Sequence, residues 1–110
     1  MTNEFESFKK NIAAAKIAVL GLGISNVPLI RFLYESGARN ITAYDKFASP
    51  QVLANIEMLK NNGMIKSAVT GEDYLNDIPS EKYDIIFKSP IIRPDVPSLV
   101  KAVEQGALLT

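Results

Sequence analysis

The run KIAVLGLGIS, residues 16–25, constrains this chain more than any other stretch. Ile17, Ala18, Val19 and Leu20 lack the polar alternation of a half-exposed strand, so they suit a strand covered on both faces in a parallel sheet. Gly21 and Gly23 then break the run. Lacking a Cβ, glycine lets the backbone turn tightly and bring its N–H groups against a ligand. A helix that starts just afterwards adds unpaired N–H groups and a partial positive charge. The pattern predicts an anion site above Gly23.

The following segments fit a strand–helix alternation. Val27, Leu29, Ile30, Phe32 and Leu33 form one wide apolar face of a helix that tolerates Pro28 in its first turn and closes at Gly37. Residues 41–44, β-branched and aromatic, read as a second strand ending at Asp45. Ser49 before Pro50 is a helix-start signal, Val52, Leu53, Ile56 and Leu59 give the buried stripe, and Gly63 is the stop. Residues 64–69 are a third strand candidate, and the acidic residues 72–77 a loop or a single helical turn. Residues 83–87, YDIIF, read as the fourth strand, with Lys88, Ser89 and Pro90 as the loop at its carboxyl end. Pro97 and Ser98 start a last helix carrying Leu99, Val100 and Val103, which closes at Gly106 before a fifth strand over 107–110. Ahead of all this, Phe5, Phe8 and Ile12 recur at helical spacing, predicting a helical leader over residues 1–15 that packs on a domain spanning 16–110.

The fold class that follows is α/β: a Rossmann-like, doubly wound parallel sheet in three α/β/α layers, with strand order 3-2-1-4-5 from right-handed crossovers. Ligands of such sheets sit at the carboxyl edge where the order reverses. That gathers residues 21–25, 45–47 and 89–91 around one crevice. A sequence that runs out within a strand reads as a piece of a longer protein.

Composition narrows the chemistry. With 12 Lys and Arg against 12 Asp and Glu in 110 residues, no net basic field draws nucleic acid or anionic lipid. The chain has no Cys and no His, which removes disulfides, thiolate or imidazole metal sites and imidazole acid–base catalysis. A charged N-terminus and the lack of an apolar run near the ~20 residues that span a bilayer point to a cytoplasmic chain.

Gly21, Gly23 and Asn26 stand where a dinucleotide fingerprint has its three glycines, and Asp45 follows at roughly the distance of ~20 residues at which an acid accepts from ribose hydroxyls. In place of the third glycine, Asn26 requires either a wider helix–strand separation or an amide turned toward the ligand as a donor. Lys46, Lys88 and Arg93 are candidate phosphate partners or ordinary surface cations; Ser25 and Ser89 are candidate phosphate donors or caps. Asp73, Asp77 and Asp84 read as loop and strand-end charges, so there is no catalytic pair and no metal set, and no G-x-x-x-x-G-K-[ST] loop to cradle ATP. On the residues alone, three readings stand: a nucleotide-sugar recognition domain, an NAD(P)-binding Rossmann domain of an oxidoreductase or regulator, and a scaffold without a ligand.

The GLGIS turn, the strand ending in Asp45, the IIFKSP strand and loop and the PSLVKAVEQG helix together resemble the N-terminal domain of the Mur ligases. Within that family the resemblance is greatest to the branch that joins D-glutamate to UDP-N-acetylmuramoyl-L-alanine in peptidoglycan synthesis, the basis of cell-wall shape and division. It implies a domain that holds the uridine diphosphate of that substrate. Gly23, Ile24, Ser25 and Asn26 would meet the diphosphate, Asp45 and Lys46 the uridine, and Ser89, Pro90 and Ile91 would close over it. Phe47, where an arginine could serve, would stack on uracil. The chain departs from the family at Asn26 and Ile91, which replace glycines. The resemblance further implies that ATP, Mg and D-glutamate engage other domains of the full-length enzyme, that no cofactor belongs to this stretch, and that this stretch alone is inactive.

Overall fold

A computed structural model describes residues 11–22, 26–89 and 92–110. Five strands form one parallel sheet: β1 (Ile17–Leu20), β2 (Ile41–Asp45), β3 (Ser67–Thr70), β4 (Ile85–Lys88) and β5 (Leu108–Leu109), in the order β3-β2-β1-β4-β5. Four helices connect them: α1 (Asn26–Glu35), α2 (Pro50–Asn61), α3 (Ile78–Glu81) and α4 (Pro97–Glu104). This is the doubly wound arrangement expected from the sequence, with β1 at its centre.

The central strand explains the layers. Ile17 and Val19 point into one apolar cluster with Ile30 and Leu33 of α1 and Val52 and Leu59 of α2. Ala18 and Leu20 point into a second cluster with Ile78 of α3 and Leu99 and Ala102 of α4. Alternate side chains of a strand leave on opposite faces, so an uninterrupted apolar run yields two cores, one under each helical layer. Residues 11–14 are helical and Ile12 joins the first core; the rest of the expected leader, residues 1–10, lies outside the described residues.

Several boundaries differ from the sequence reading; Lys88, read as loop, belongs to β4, and β5 is confined to Leu108–Leu109 within the expected 107–110. The third strand begins at Ser67, because Met64 donates its N–H to the Leu59 carbonyl and so belongs to the closure of α2, while Ile65 is consumed by the first core. Tyr83 is buried but precedes the ladder: both Asp84 and Ile85 donate to the Lys16 carbonyl, and β4 starts at Ile85. The one-turn helix α3 lies just beyond the acidic stretch, with Pro79 in its first turn and Ile78 fully buried. By contrast the start of α2 is as expected, with the Ser49 hydroxyl accepting from the Val52 N–H at 3.2 Å.

Within the second core, the hydroxyls of Tyr44 and Tyr83 lie 2.6 Å apart and their rings meet edge to face. Burial, and then the hydrogen bond to Tyr83, push the Tyr44 phenol far above its ordinary value of 10.0. A raised acid pKa means that stability is fully present below the unfolded value and falls as the pH climbs past it, when unfolding releases a proton the folded state retains. The melting temperature is therefore expected to drop above about pH 10, and to drop less in Tyr44→Phe. At neutral pH, Tyr44→Phe strands the Tyr83 hydroxyl and should cost about 1–3 kcal/mol in chemical denaturation. An unchanged midpoint would show that Tyr83 finds another partner.

Candidate functional site

At the carboxyl edge of the sheet three strand ends are locked together. Gly21 donates its N–H to the Tyr44 carbonyl at 2.6 Å, joining the ends of β1 and β2, and Ser89 donates to the Leu20 carbonyl at 3.1 Å, joining β1 to the loop after β4. Gly21 has φ +96°, and a Cβ built on it would come within 3.2 Å of the Ser89 Cβ. The glycine turn and the loop after β4 are thus in contact, as the topology requires at the point where the strand order reverses.

Side chains hold this turn from three directions. One Asp45 carboxylate oxygen accepts from the Leu22 N–H at 2.8 Å and the other from the Phe47 N–H at 2.9 Å. The Asn26 amide donates to the carbonyls of Leu20 at 3.1 Å and Gly21 at 2.8 Å. From α2, the Asn55 amide donates to the Leu22 carbonyl at 3.2 Å, and its own oxygen accepts from the Gln51 amide at 3.2 Å. Leu22, itself buried, therefore has both its N–H and its C=O fixed by side chains just before the turn continues. Gly21 and Leu22, held in this way, have little conformational entropy left to lose on meeting a ligand.

Above it opens a cleft of about 940 Å³, within the range of small-molecule sites. Its exposed wall surface is mostly apolar, with Leu22, Val27, Val52, Leu75, Ile92 and Val96 contributing, and Asp45, Ser49, Asn55, Tyr74 and Ser89 are among its polar residues. Of the residues singled out in the sequence, Asp45, Lys46, Phe47 and Ser89 line this cleft together. Lys46 and Phe47 are exposed at its rim, with the Lys46 ammonium 5.6 Å from the Phe47 ring centre. Gly23, Ile24, Ser25, Pro90 and Ile91 lie outside the described residues.

Among the candidate cations, Arg93 lines the cleft but its guanidinium is paired with Asp95 through contacts of 3.0 and 2.9 Å. Lys88 sits in β4. Asp84 is at the opposite, amino edge, where its carboxylate accepts from the Lys16 N–H at 2.8 Å. Among the described residues no group of three or more acids could hold a metal ion, and no helix is long and apolar enough to cross a membrane.

Asn55 and Tyr74 are among the cleft residues that escaped the sequence reading. Asn55 lies between Val52 and Leu59 on the inward stripe of α2, and a polar residue at the margin of an apolar stripe was the available signal. Tyr74, in the stretch read as an acidic loop, reaches the cleft beside Asp45.

The Asn26 amide is not turned toward a ligand, as one alternative expected, but donates to the turn's own carbonyls. Asn26→Gly, which on sequence grounds restores a fingerprint residue at little cost, is instead expected to lose about 1–3 kcal/mol by removing two hydrogen bonds of about 0.5–1.5 kcal/mol each. A chemical denaturation midpoint equal to that of the parent would show that water replaces both.

No protein-family profile matches the chain. It is similar along its whole length to curated proteins named UDP-N-acetylmuramoylalanine--D-glutamate ligase. It is 44% identical over 110 residues to that of Clostridium kluyveri, covering 100% of this chain and 23% of the relative. For the protein of Clostridium tetani the identity is 41%, with the same coverage. For that of Acetivibrio thermocellus it is 40%, covering 22% of the relative. The chain thus spans about a quarter of the length of the curated relatives it matches.

Proposed function

We propose that this chain, which belongs with the N-terminal portion of the UDP-N-acetylmuramoylalanine--D-glutamate ligases, is the part that holds the uridine diphosphate of UDP-N-acetylmuramoyl-L-alanine. The observation that carries the reading is the convergence on one cleft of the glycine turn, Asp45 to Phe47 and Ser89, in a chain whose relatives bear that name along its whole length. The turn offers backbone N–H groups to the diphosphate, the helix behind it offers its positive end, and the apolar walls beside Phe47 suit a flat base. Gly23, Ile24 and Ser25 serve the diphosphate, joined by Asn26 through its backbone at the helix start, since its side-chain amide is spent on the turn; Asp45, Lys46 and Phe47 serve the uridine; Ser89, Pro90 and Ile91 close the site.

The chemistry belongs to the remainder of a longer ligase. Activation of a carboxyl group by ATP and attack by the D-glutamate amine need a phosphate-cradling loop and a metal; the sequence has no G-x-x-x-x-G-K-[ST] loop, and no group of three or more acids among the described residues could hold the metal. This stretch is a cytoplasmic recognition module of wall synthesis, hence of cell shape and division, and turns over no ATP by itself.

Titration of the isotope-labelled chain tests this directly. UDP should shift the amide signals of residues 21–26 and 45–47, and NADH should leave them in place. Shifts with NADH and none with UDP would replace the nucleotide-sugar reading with a nicotinamide one.

A further inference from the structure

Tyr74 is the one tyrosine of the cleft, and its placement follows from the backbone around Asp45. Thr70 of β3 pairs with Asp45 of β2, and Gly71 then donates its N–H to the Asp45 carbonyl at 3.3 Å. Gly71 has φ +116°, which turns the chain back toward the sheet edge, and Tyr74 closes that turn by donating its N–H to the Gly71 carbonyl at 3.2 Å. Two successive backbone bonds thus fix Tyr74 relative to Asp45, on the β3 side, while the glycine turn of β1 lies on the other. Its ring is half-buried against the second core. Among the described residues its hydroxyl has no hydrogen-bond partner, and it is not sealed from the cleft.

That hydroxyl contrasts with the polar groups around it. Asp45 already accepts one backbone N–H on each oxygen, which uses about half of the roughly four acceptor positions of a carboxylate. The amides of Asn26 and Asn55 are occupied by the turn. Tyr74 combines a rigid anchor, a place on the cleft wall beside Asp45 and an unspent donor.

We propose that the Tyr74 hydroxyl is a specificity contact for the nucleoside half of the ligand, hydrogen-bonding to it beside Asp45 while the glycine turn holds the diphosphate. The proposal rests on the uridine diphosphate reading above. Burial, and then the Asp45 carboxylate, raise the Tyr74 phenol above its ordinary range, so the group keeps its proton and remains a donor.

The test is calorimetric titration of the chain and of Tyr74→Phe with UDP and with inorganic pyrophosphate, alongside melting curves. Phenylalanine keeps the ring and removes only the hydroxyl, so the melting temperature should stay put. The Kd for UDP should rise about three- to tenfold, the effect of one neutral hydrogen bond, and that for pyrophosphate should not change. An unchanged UDP affinity overturns the proposal and leaves the nucleotide reading intact, as does an equal loss toward pyrophosphate, which would assign the hydroxyl to the diphosphate. Failure of the parent chain itself to bind UDP would instead remove the nucleotide reading, and this proposal with it.

Discussion

Asp45→Ala is expected to weaken UDP binding by ten- to a hundredfold and, unlike an ordinary strand-end substitution, to lower stability by about 2 kcal/mol. A carboxylate at the end of a strand supports no core, and from the sequence its removal should leave the fold almost untouched. The structure gives it a second task. Its two oxygens accept from Leu22 at 2.8 Å and Phe47 at 2.9 Å, so it pins the exit of β1 to the exit of β2. Hydrogen bonds to charged groups contribute about 1.5–3 kcal/mol each, and partial exposure of Asp45 lets water recover much of this, which places the expected loss below the sum of two such bonds. Asp45→Asn retains one acceptor oxygen and should fall between the parent and alanine on both scales. Denaturation midpoint and calorimetric Kd separate the two tasks. An unaltered midpoint would show the pinning bonds to be energetically idle, and an unaltered Kd would place the uridine elsewhere.

That double role marks the boundary between what the sequence shows and what it hides. Local signals were legible because their physics is local: four apolar residues before a glycine, a Ser–Pro helix start, the glycines that end helices. Strand order followed from handedness alone, without any long-range information. The third strand was misplaced because Met64 and Ile65 are apolar for a different reason, one closing a helix and the other filling the first core. The strand proper is an edge strand whose residues are mostly exposed, so its composition carries little signal. Helix α3, a single turn, is too short for periodicity to register. In the site, residue types were readable and their partners were not. Asp45 reaches Leu22 across 23 residues of sequence and Asn55 reaches it across 33, and neither spacing corresponds to any helix or strand repeat. Such staples exist only once the sheet has brought three loops to one edge. Asn26 shows the same limit: its sequence position announces a departure from a fingerprint, and only the fold reveals that the amide has been turned onto the carbonyls of the turn it follows.

Gly21→Ala should have the largest combined effect of any single methyl added at this edge. The backbone there holds φ +96°, a region that L side chains seldom enter, and keeping alanine in it costs about 1–3 kcal/mol. The new Cβ also meets the Ser89 Cβ at 3.2 Å and the Asn26 amide nitrogen at 3.5 Å. Both neighbours are held: Ser89 by its N–H on the Leu20 carbonyl, and Asn26 by its two bonds to the turn, so neither can withdraw without giving up a hydrogen bond. Adding about 1 kcal/mol for that crowding brings the expected destabilisation to roughly 2–4 kcal/mol. The strain falls where β1, β2 and the loop after β4 meet, so the distortion passes directly into the proposed diphosphate site, and the Kd for UDP should rise at least tenfold, at a temperature well below the variant's own melting point. Gly63→Ala is the matching control: it too has a positive φ, at +70°, but its Cβ would meet nothing within 4 Å and it lies far from the cleft lining. It should lose stability through backbone strain alone and keep the parent's affinity. If Gly21→Ala binds UDP as tightly as Gly63→Ala does, the close approach of the glycine turn to Ser89 has no part in holding the nucleotide.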